Sequence, residues 1–273
     1  MLKTILNNVR EKMPLIHSIT NYVTVNDCAN MLLACGGSPI MADDIGEVGE
    51  ITALCGGLNI NIGTLNERTV ASMLAAGKTA NACGHPVVLD PVGAGASRLR
   101  TETANMLLRD IQFAAIRGNI SEIKALALGA GTTKGVDADI ADAVTAETLN
   151  NTVSFAKKFA KQTGAVIAIT GATDVVADAQ KSYVIQNGHP MMSKITGTGC
   201  MLSAITAAYL AANPSQPLEA AAAAVCAMGL CGQRAYERLG ARDGNATYRN
   251  FIIDEMFNLS GDELEAGAKY EMR

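Results

Sequence analysis

Short apolar runs alternate along the chain with longer stretches in which apolar residues recur every three or four positions. Leu2, Ile5, Leu6, Val9 and Met13 fall on one face of a first helix. Residues 15–19 predict a strand, and residues 22–35 predict a helix that stops at Gly36-Gly37. Residues 57–62, Gly-Leu-Asn-Ile-Asn-Ile, alternate as a strand does, and 67–82 predict a helix closed by Gly84. A Val-rich strand over 86–89 ends at Asp90-Pro91. It is followed by a helix over 101–109, a strand over 113–116 and a helix over 121–128, before a Gly-rich tract over 129–135. Leu149, Val153, Ala156 and Ala160 share a helical stripe, and 165–169 is an apolar run suited to a strand buried on both faces. Residues 174–179 and 182–186 predict paired strands around Gln180-Lys181. From Gly199 the pattern is helical to the end, interrupted near Asn213-Pro214 and over 240–244.

Repeated strand–helix alternation predicts an α/β fold: a central, mostly parallel sheet flanked by helices on both faces. No stretch reads as a linker, repeat or low-complexity tract, so a single domain over 1–273 is expected. Composition sharpens this. Hydrophobic residues make up 49% and aromatics only 4%, with no Trp, so small aliphatics, Ala and Met must fill the core and helices must lie close on the sheet. The formal net charge of −4 gives no electrostatic footprint for nucleic acid. No signal peptide or run long enough to span a bilayer is apparent, which predicts a cytoplasmic protein. Seven scattered cysteines with no Cys-x-x-Cys pair read as free thiols in a reducing compartment.

Ligands of open α/β sheets collect at the carboxyl ends of the strands, beside helix N-termini. Four clusters occupy such positions: Asp90-Pro-Val-Gly-Ala-Gly95, Arg117-Gly-Asn-Ile-Ser-Glu122, Thr170-Gly-Ala-Thr-Asp174 and Ile195-Thr-Gly-Thr-Gly-Cys200. The last leads straight into an Ala-rich helix, where glycines let backbone N–H groups converge and the helix dipole favours an anion. It is neither a P-loop nor a dinucleotide fingerprint. In the second cluster, Asn119 and Glu122 lie three apart at a helix start. There they suit either a hydrated Mg²⁺ held through oxygens or a plain helix cap. Arg117 suits nucleotide phosphate, and Asp90 suits either the metal's outer shell or its own turn. A helix N-terminus also favours a thiolate at Cys200.

Together these clusters resemble the ribokinase-like superfamily. With His17-Ser-Ile-Thr-Asn-Tyr22, Pro39-Ile-Met-Ala-Asp43 and Glu47-Val-Gly-Glu50, the chain resembles the hydroxyethylthiazole kinase family over residues 14–260, in matching order. Cys200 is part of that resemblance, whereas the wider superfamily carries Asp there as base. The resemblance implies ATP-dependent phosphorylation of the hydroxyl of 4-methyl-5-(2-hydroxyethyl)thiazole, a thiamine precursor, with Mg²⁺, by a homotrimer whose pockets lie between subunits. It places Met41 and Asn21 in the thiazole pocket, Gly197 against substrate through its backbone, and Arg117 and Thr170 on ATP. Asp90, Asn119 and Glu122 fall at Mg²⁺, and Cys200 beside the substrate hydroxyl as base or positioning group. His17 reads as structural. The rival readings are a kinase of hydroxymethylpyrimidine or pyridoxal, a nucleotide-dependent NAD(P)H-hydrate dehydratase, a hydrolase with Cys200 as nucleophile, and a non-catalytic nucleotide sensor.

Overall fold

Strands β1 (Leu15–Ile19), β2 (Ser38–Ile40), β3 (Gly57–Asn61), β4 (Val87–Asp90), β5 (Ala115–Asn119), β6 (Val166–Thr170), β7 (Asp174–Ala177), β8 (Ser182–Ile185) and β9 (Tyr270–Met272) form one sheet. Its order is β2-β1-β3-β4-β5-β6-β7-β8-β9. The pairings from β2 through β6 are parallel, and those from β6 through β9 are antiparallel. The computed structural model describes residues 1–128 and 148–273; the Gly-rich tract expected over 129–135 lies outside the described residues.

The strands alternate their side chains between two apolar layers, as the pleat requires. Val88, Ala115, Ala168 and Val176 pack on one face, while Leu89, Ile116, Ile167 and Val175 pack on the other. Helices α1 (Leu2–Lys12), α2 (Val25–Cys35), α8 (Thr198–Ala212), α9 (Pro217–Glu237) and α10 (Asn245–Asn258) contribute to the first layer. Helices α4 (Glu67–Cys83), α5 (Arg98–Asp110), α6 (Ile120–Leu128) and α7 (Leu149–Thr163) contribute to the second. Helix α8 is buried almost all round, packing against β1, β3 and β4 as well as α1, α2 and α9. Its Ala-rich composition permits that close approach. No helix among the described residues is long and apolar enough to cross a membrane.

Several boundaries differ from the pattern-based expectation. Helix α2 starts at Val25, three residues later than expected, and α5 starts at Arg98, three earlier. Met13 does not continue the α1 stripe: it caps the helix at φ 44°, its N–H donating to the Val9 carbonyl, and is 63% exposed. The pattern missed β2, helix α3 (Val48–Leu54), a 3₁₀ turn over Pro190–Lys194 and helix α11 (Gly261–Gly267) as a separate unit. It also assigned the C-terminus to helix where β9 pairs with β8. β9 is an exposed strand three residues long, so its pairing rather than an apolar pattern defines it.

Candidate active site

The period of two carries the polar strand ends to the α8 face. Arg117 follows Ala115 by two, Asp90 follows Val88, and Thr170 follows Ala168; each of these apolar residues belongs to the α8 layer. Asn61 and Asp90 are register partners across β3 and β4, as are Asn119 and Thr170 across β5 and β6. At the head of this face α8 begins. Gly197 is its N-cap at φ 94°, a backbone conformation that favours glycine, and its carbonyl accepts the Met201 N–H. A Cβ on Gly199 would overlap the Arg117 guanidinium, so glycine is what lets a positive charge lie against the first turn of α8. Cys200 is partly buried in that turn.

One hydrogen-bonded set joins these groups. Asn21 Nδ2 donates to Cys200 Sγ at 3.2 Å and to Asn61 Oδ1 at 3.0 Å. Asn61 Nδ2 and Ser203 Oγ each donate to Asp90 Oδ2 at 2.8 Å. Arg117 lies 3.7 Å from Asp90 Oδ1 and donates to Thr170 Oγ1 at 2.6 Å. Asp90 does not bind its own turn, the alternative its sequence position left open. Asn119 and Glu122 form a reciprocal cap, with the Glu122 N–H on Asn119 Oδ1 and the Asn119 N–H on Glu122 Oε2, both at 2.8 Å. The other Glu122 oxygen accepts the Gly93 N–H at 2.8 Å, tying the β4 loop to α6. Met41 is half-buried against the α8 layer, two residues after Pro39. His17 is fully buried, with Nδ1 2.8 Å from Thr52 Oγ1 and Nε2 2.8 Å from the Ala42 carbonyl, so it holds the Met41 segment in place as the structural reading expects.

Burial dominates the electrostatics. It pushes Glu122 up to about 7, helped by the negative charge of Asp90 and opposed by the Gly93 N–H, Arg117 and the Asn119 N–H. Asp90 is also raised by burial, against Arg117, Ser203 and Asn61. Burial, then Asp90, raises the Cys200 thiol; donors from Thr24 and Asn21, and the charge of Arg117, oppose this. The net direction is opposite to the push that the helix start was expected to give the thiolate, and it leaves the choice between base and positioning group open. Burial and a neighbouring carboxylate both favour the neutral thiol over the thiolate.

Sequence reasoning had no particular signal for Asn61 or Ser203 as members of this set, and it placed Asp174 in the Thr170–Asp174 cluster without giving it a role. Asp174, the first residue of β7, is buried and accepts the Gly171 N–H at 2.8 Å, which shapes the turn after Thr170. Burial raises it to about 7, against the Gly171 N–H and Arg117. The folded protein therefore keeps a proton that the unfolded chain releases between 3.8 and about 7, so Asp174 lowers stability as pH rises through that window. Asp174→Asn keeps an acceptor for Gly171 and removes the acid. Its Tm is expected to gain on the wild type steadily from pH ~4 to ~8, and a pH-independent difference in thermal melts would show Asp174 ionising as it does in the unfolded chain.

None of the three histidines is positioned to serve Cys200. His17 is engaged as above, His189 stacks on Tyr236 at 3.5 Å between centroids, and His85 precedes β4 at the opposite end of the sheet from Asp90. A Cys–His hydrolase therefore finds no base in the described residues.

The profile of the hydroxyethylthiazole kinase family matches residues 6–262. A hydroxyethylthiazole kinase of Clostridium acetobutylicum is 68% identical over 271 residues, covering 99% of each chain. The solved structure of a hydroxyethylthiazole kinase protein from Pyrococcus horikoshii superposes with a TM-score of 0.88 at 33% identity, covering 100% of this chain and 98% of that one. A pyridoxal kinase from Staphylococcus aureus shares the fold alone, with a TM-score of 0.60 at 16% identity over 96% of this chain and 98% of its own. The near-complete coverage and the order of the strand-end clusters lead to one assignment: the chain belongs to the hydroxyethylthiazole kinase family, within the ribokinase-like fold.

Proposed function

We propose that this protein transfers the γ-phosphoryl group of ATP to the hydroxyl of 4-methyl-5-(2-hydroxyethyl)thiazole, supplying the thiazole phosphate for thiamine. The observation that carries this reading is one sheet edge where a thiol in the first turn of α8 and a buried acidic pair flank a single guanidinium, that of Arg117. Phosphoryl transfer asks for little else: an alcohol held in line and charge neutralised around the moving group.

The residues suit Mg²⁺. Asp90 Oδ1 is buried and accepts no hydrogen bond, which leaves a carboxylate oxygen with only Arg117 at 3.7 Å to answer its charge. No cluster of three or more His, Cys, Asp or Glu among the described residues could hold a metal alone. Mg²⁺ commonly takes one or two carboxylates and completes its shell with water and substrate phosphates, so two acids and an amide are a sufficient oxygen set. Asp90, Asn119 and Glu122 would hold it, and when bound it neutralises charge on the phosphate oxygens. Arg117 and Thr170 meet the nucleotide, and the amides at the start of α8, from Gly197 onward, face the transferring group. Met41 and Asn21 line the thiazole pocket with the Gly197 backbone. Cys200 lies beside the substrate hydroxyl, where it either takes the proton or positions the oxygen.

A panel of thiazole, pyrimidine and pyridoxine alcohols with Mg-ATP, read as ADP formed, tests the assignment. Preference for the thiazole alcohol is the expected result, and preference for a pyrimidine overturns it. The functional unit in this reading is a homotrimer with pockets shared between subunits. Tyr22, 78% exposed, and Val23, 56% exposed, follow Asn21 directly, and Ile45, 54% exposed, lies four residues after Met41. Apolar groups left open beside a pocket suit cover by a second copy. Sedimentation of active enzyme is expected to show an oligomer, and a fully active monomer would remove the shared pocket.

A further inference from the structure

Two side-chain amides stand between the Cys200 thiol and the Asp90 carboxylate, and backbone donors fix which way each one points. Asn21 Oδ1 accepts both the N–H and the hydroxyl of Thr24 at 3.1 Å. A backbone N–H only donates, so the Asn21 oxygen faces Thr24 and its NH₂ faces the site. The Gly63 N–H, 2.9 Å from Asn61 Oδ1, orients the second amide in the same way and turns its NH₂ onto Asp90. Asn21 Nδ2 then has two hydrogens and two partners, Asn61 Oδ1 and Cys200 Sγ. Asn21, Asn61 and Asp90 are all buried, at 4%, 1% and 0% exposure, so water does not readily stand in for a lost partner.

We propose that Asn61 is a positioning residue for the transfer reaction: by taking one hydrogen of the Asn21 amide it aims the other at the Cys200 sulfur, while its own NH₂ holds the Asp90 carboxylate. Its functional meaning rests on the kinase reading, but the geometry needs no substrate. An N–H aimed at sulfur favours the thiolate over the thiol. The titratable and charged groups facing Cys200 are Asp90 on β4, Arg117 on β5 and the Cys28 thiol on α2. Replacing Asn61 removes its hold on the Asn21 N–H and also one of the two side-chain donors to Asp90, a second effect that Ser203→Ala reproduces alone.

The test follows iodoacetamide alkylation of Cys200 against pH in substrate-free protein, read by mass spectrometry of the Cys200 peptide. Asn61→Leu, which keeps the branched side-chain shape but is larger, and Asn61→Ala, which leaves a cavity instead of a clash, are expected to move the alkylation midpoint up by about one pH unit, the scale of one hydrogen bond to a charged acceptor. In an Asn21→Ala background, Asn61→Leu is expected to add nothing, because its effect passes through Asn21. Ser203→Ala removes the other donor to Asp90 Oδ2 without touching Asn21 and is expected to leave the midpoint in place. Thermal melts identify which Asn61 variant is folded and therefore read. An unmoved midpoint in a folded Asn61 variant overturns the proposal, as does a shift that survives Asn21→Ala or an equal shift in Ser203→Ala. The alkylation shift without thiazole turnover by wild-type protein would uphold the positioning role and remove the kinase reading; turnover without the shift would do the reverse.

Discussion

Replacing Cys200 by alanine is expected to lower kcat by about 10²–10⁴-fold and to leave a measurable reaction, because general-base catalysis contributes only that much. Cys200→Asp is expected to recover much of the loss. A carboxylate is ionised more readily than the buried thiol, and Asn21 Nδ2, 3.2 Å from the sulfur, is placed to donate to it. The site also opposes that substitution in one respect, since Asp90 already raises the group at this position by its negative charge. The recovered activity is therefore expected to rise with pH across the neutral range. Arg117 and the amides of α8 remain in both variants and carry the residual acceleration. Steady-state kinetics at several pH values check this. Complete loss in Cys200→Ala with no recovery in Cys200→Asp would point to covalent chemistry by the thiol. A folded, ATP-binding but inactive Asp variant would leave Cys200 as a group that only shapes the pocket.

Glu122→Gln is expected to lower kcat by about 10²-fold, the scale of losing one preorganised electrostatic group, with partial rescue at high Mg²⁺. From the sequence alone the substitution reads as silent for folding, because shape and hydrogen-bonding capacity are kept. The structure alters that expectation. Both carboxylate oxygens of Glu122 accept backbone N–H groups, from Gly93 and from Asn119. A glutamine offers one oxygen and must turn its NH₂ toward the other donor, leaving a buried N–H unanswered at a cost of about 1–3 kcal/mol. A fall in Tm of several degrees is thus expected alongside the kinetic loss, even though the variant also removes the charge that Asp90 repels. Mg²⁺ titrations of kcat and thermal melts separate the two effects. Unchanged kcat with a lowered Tm would reduce the Asn119–Glu122 pair to a helix cap.

The amino-acid order by itself determined the alternation of strands and helices, and with it the end of the sheet at which the candidate clusters gather. Strand β1 has the predicted limits, and α4 stops at Gly84, which adopts φ 72°. The late antiparallel hairpin of β7 and β8 was legible from two apolar runs around Gln180-Lys181, and the site clusters from polar residues directly after such runs. These signals are local, because a few consecutive residues carry the whole pattern. Short elements carried none: β2 spans three half-buried residues, and β9 is exposed and defined only by its partner. In β3 the alternation of Asn59 and Asn61 with Leu58 and Ile60 identified two faces, but not that both faces are buried. Asn61 gains its place through pairing with Asp90 across the sheet, and Asn21 meets Cys200 across 179 residues of sequence. The direction in which the Cys200 thiol moves was likewise decided by tertiary structure. A helix start is visible in sequence, whereas burial and the proximity of Asp90 exist only once α8 is seated on the sheet. Desolvation and charge pairing depend on distance in space, and that is the information a linear pattern does not hold.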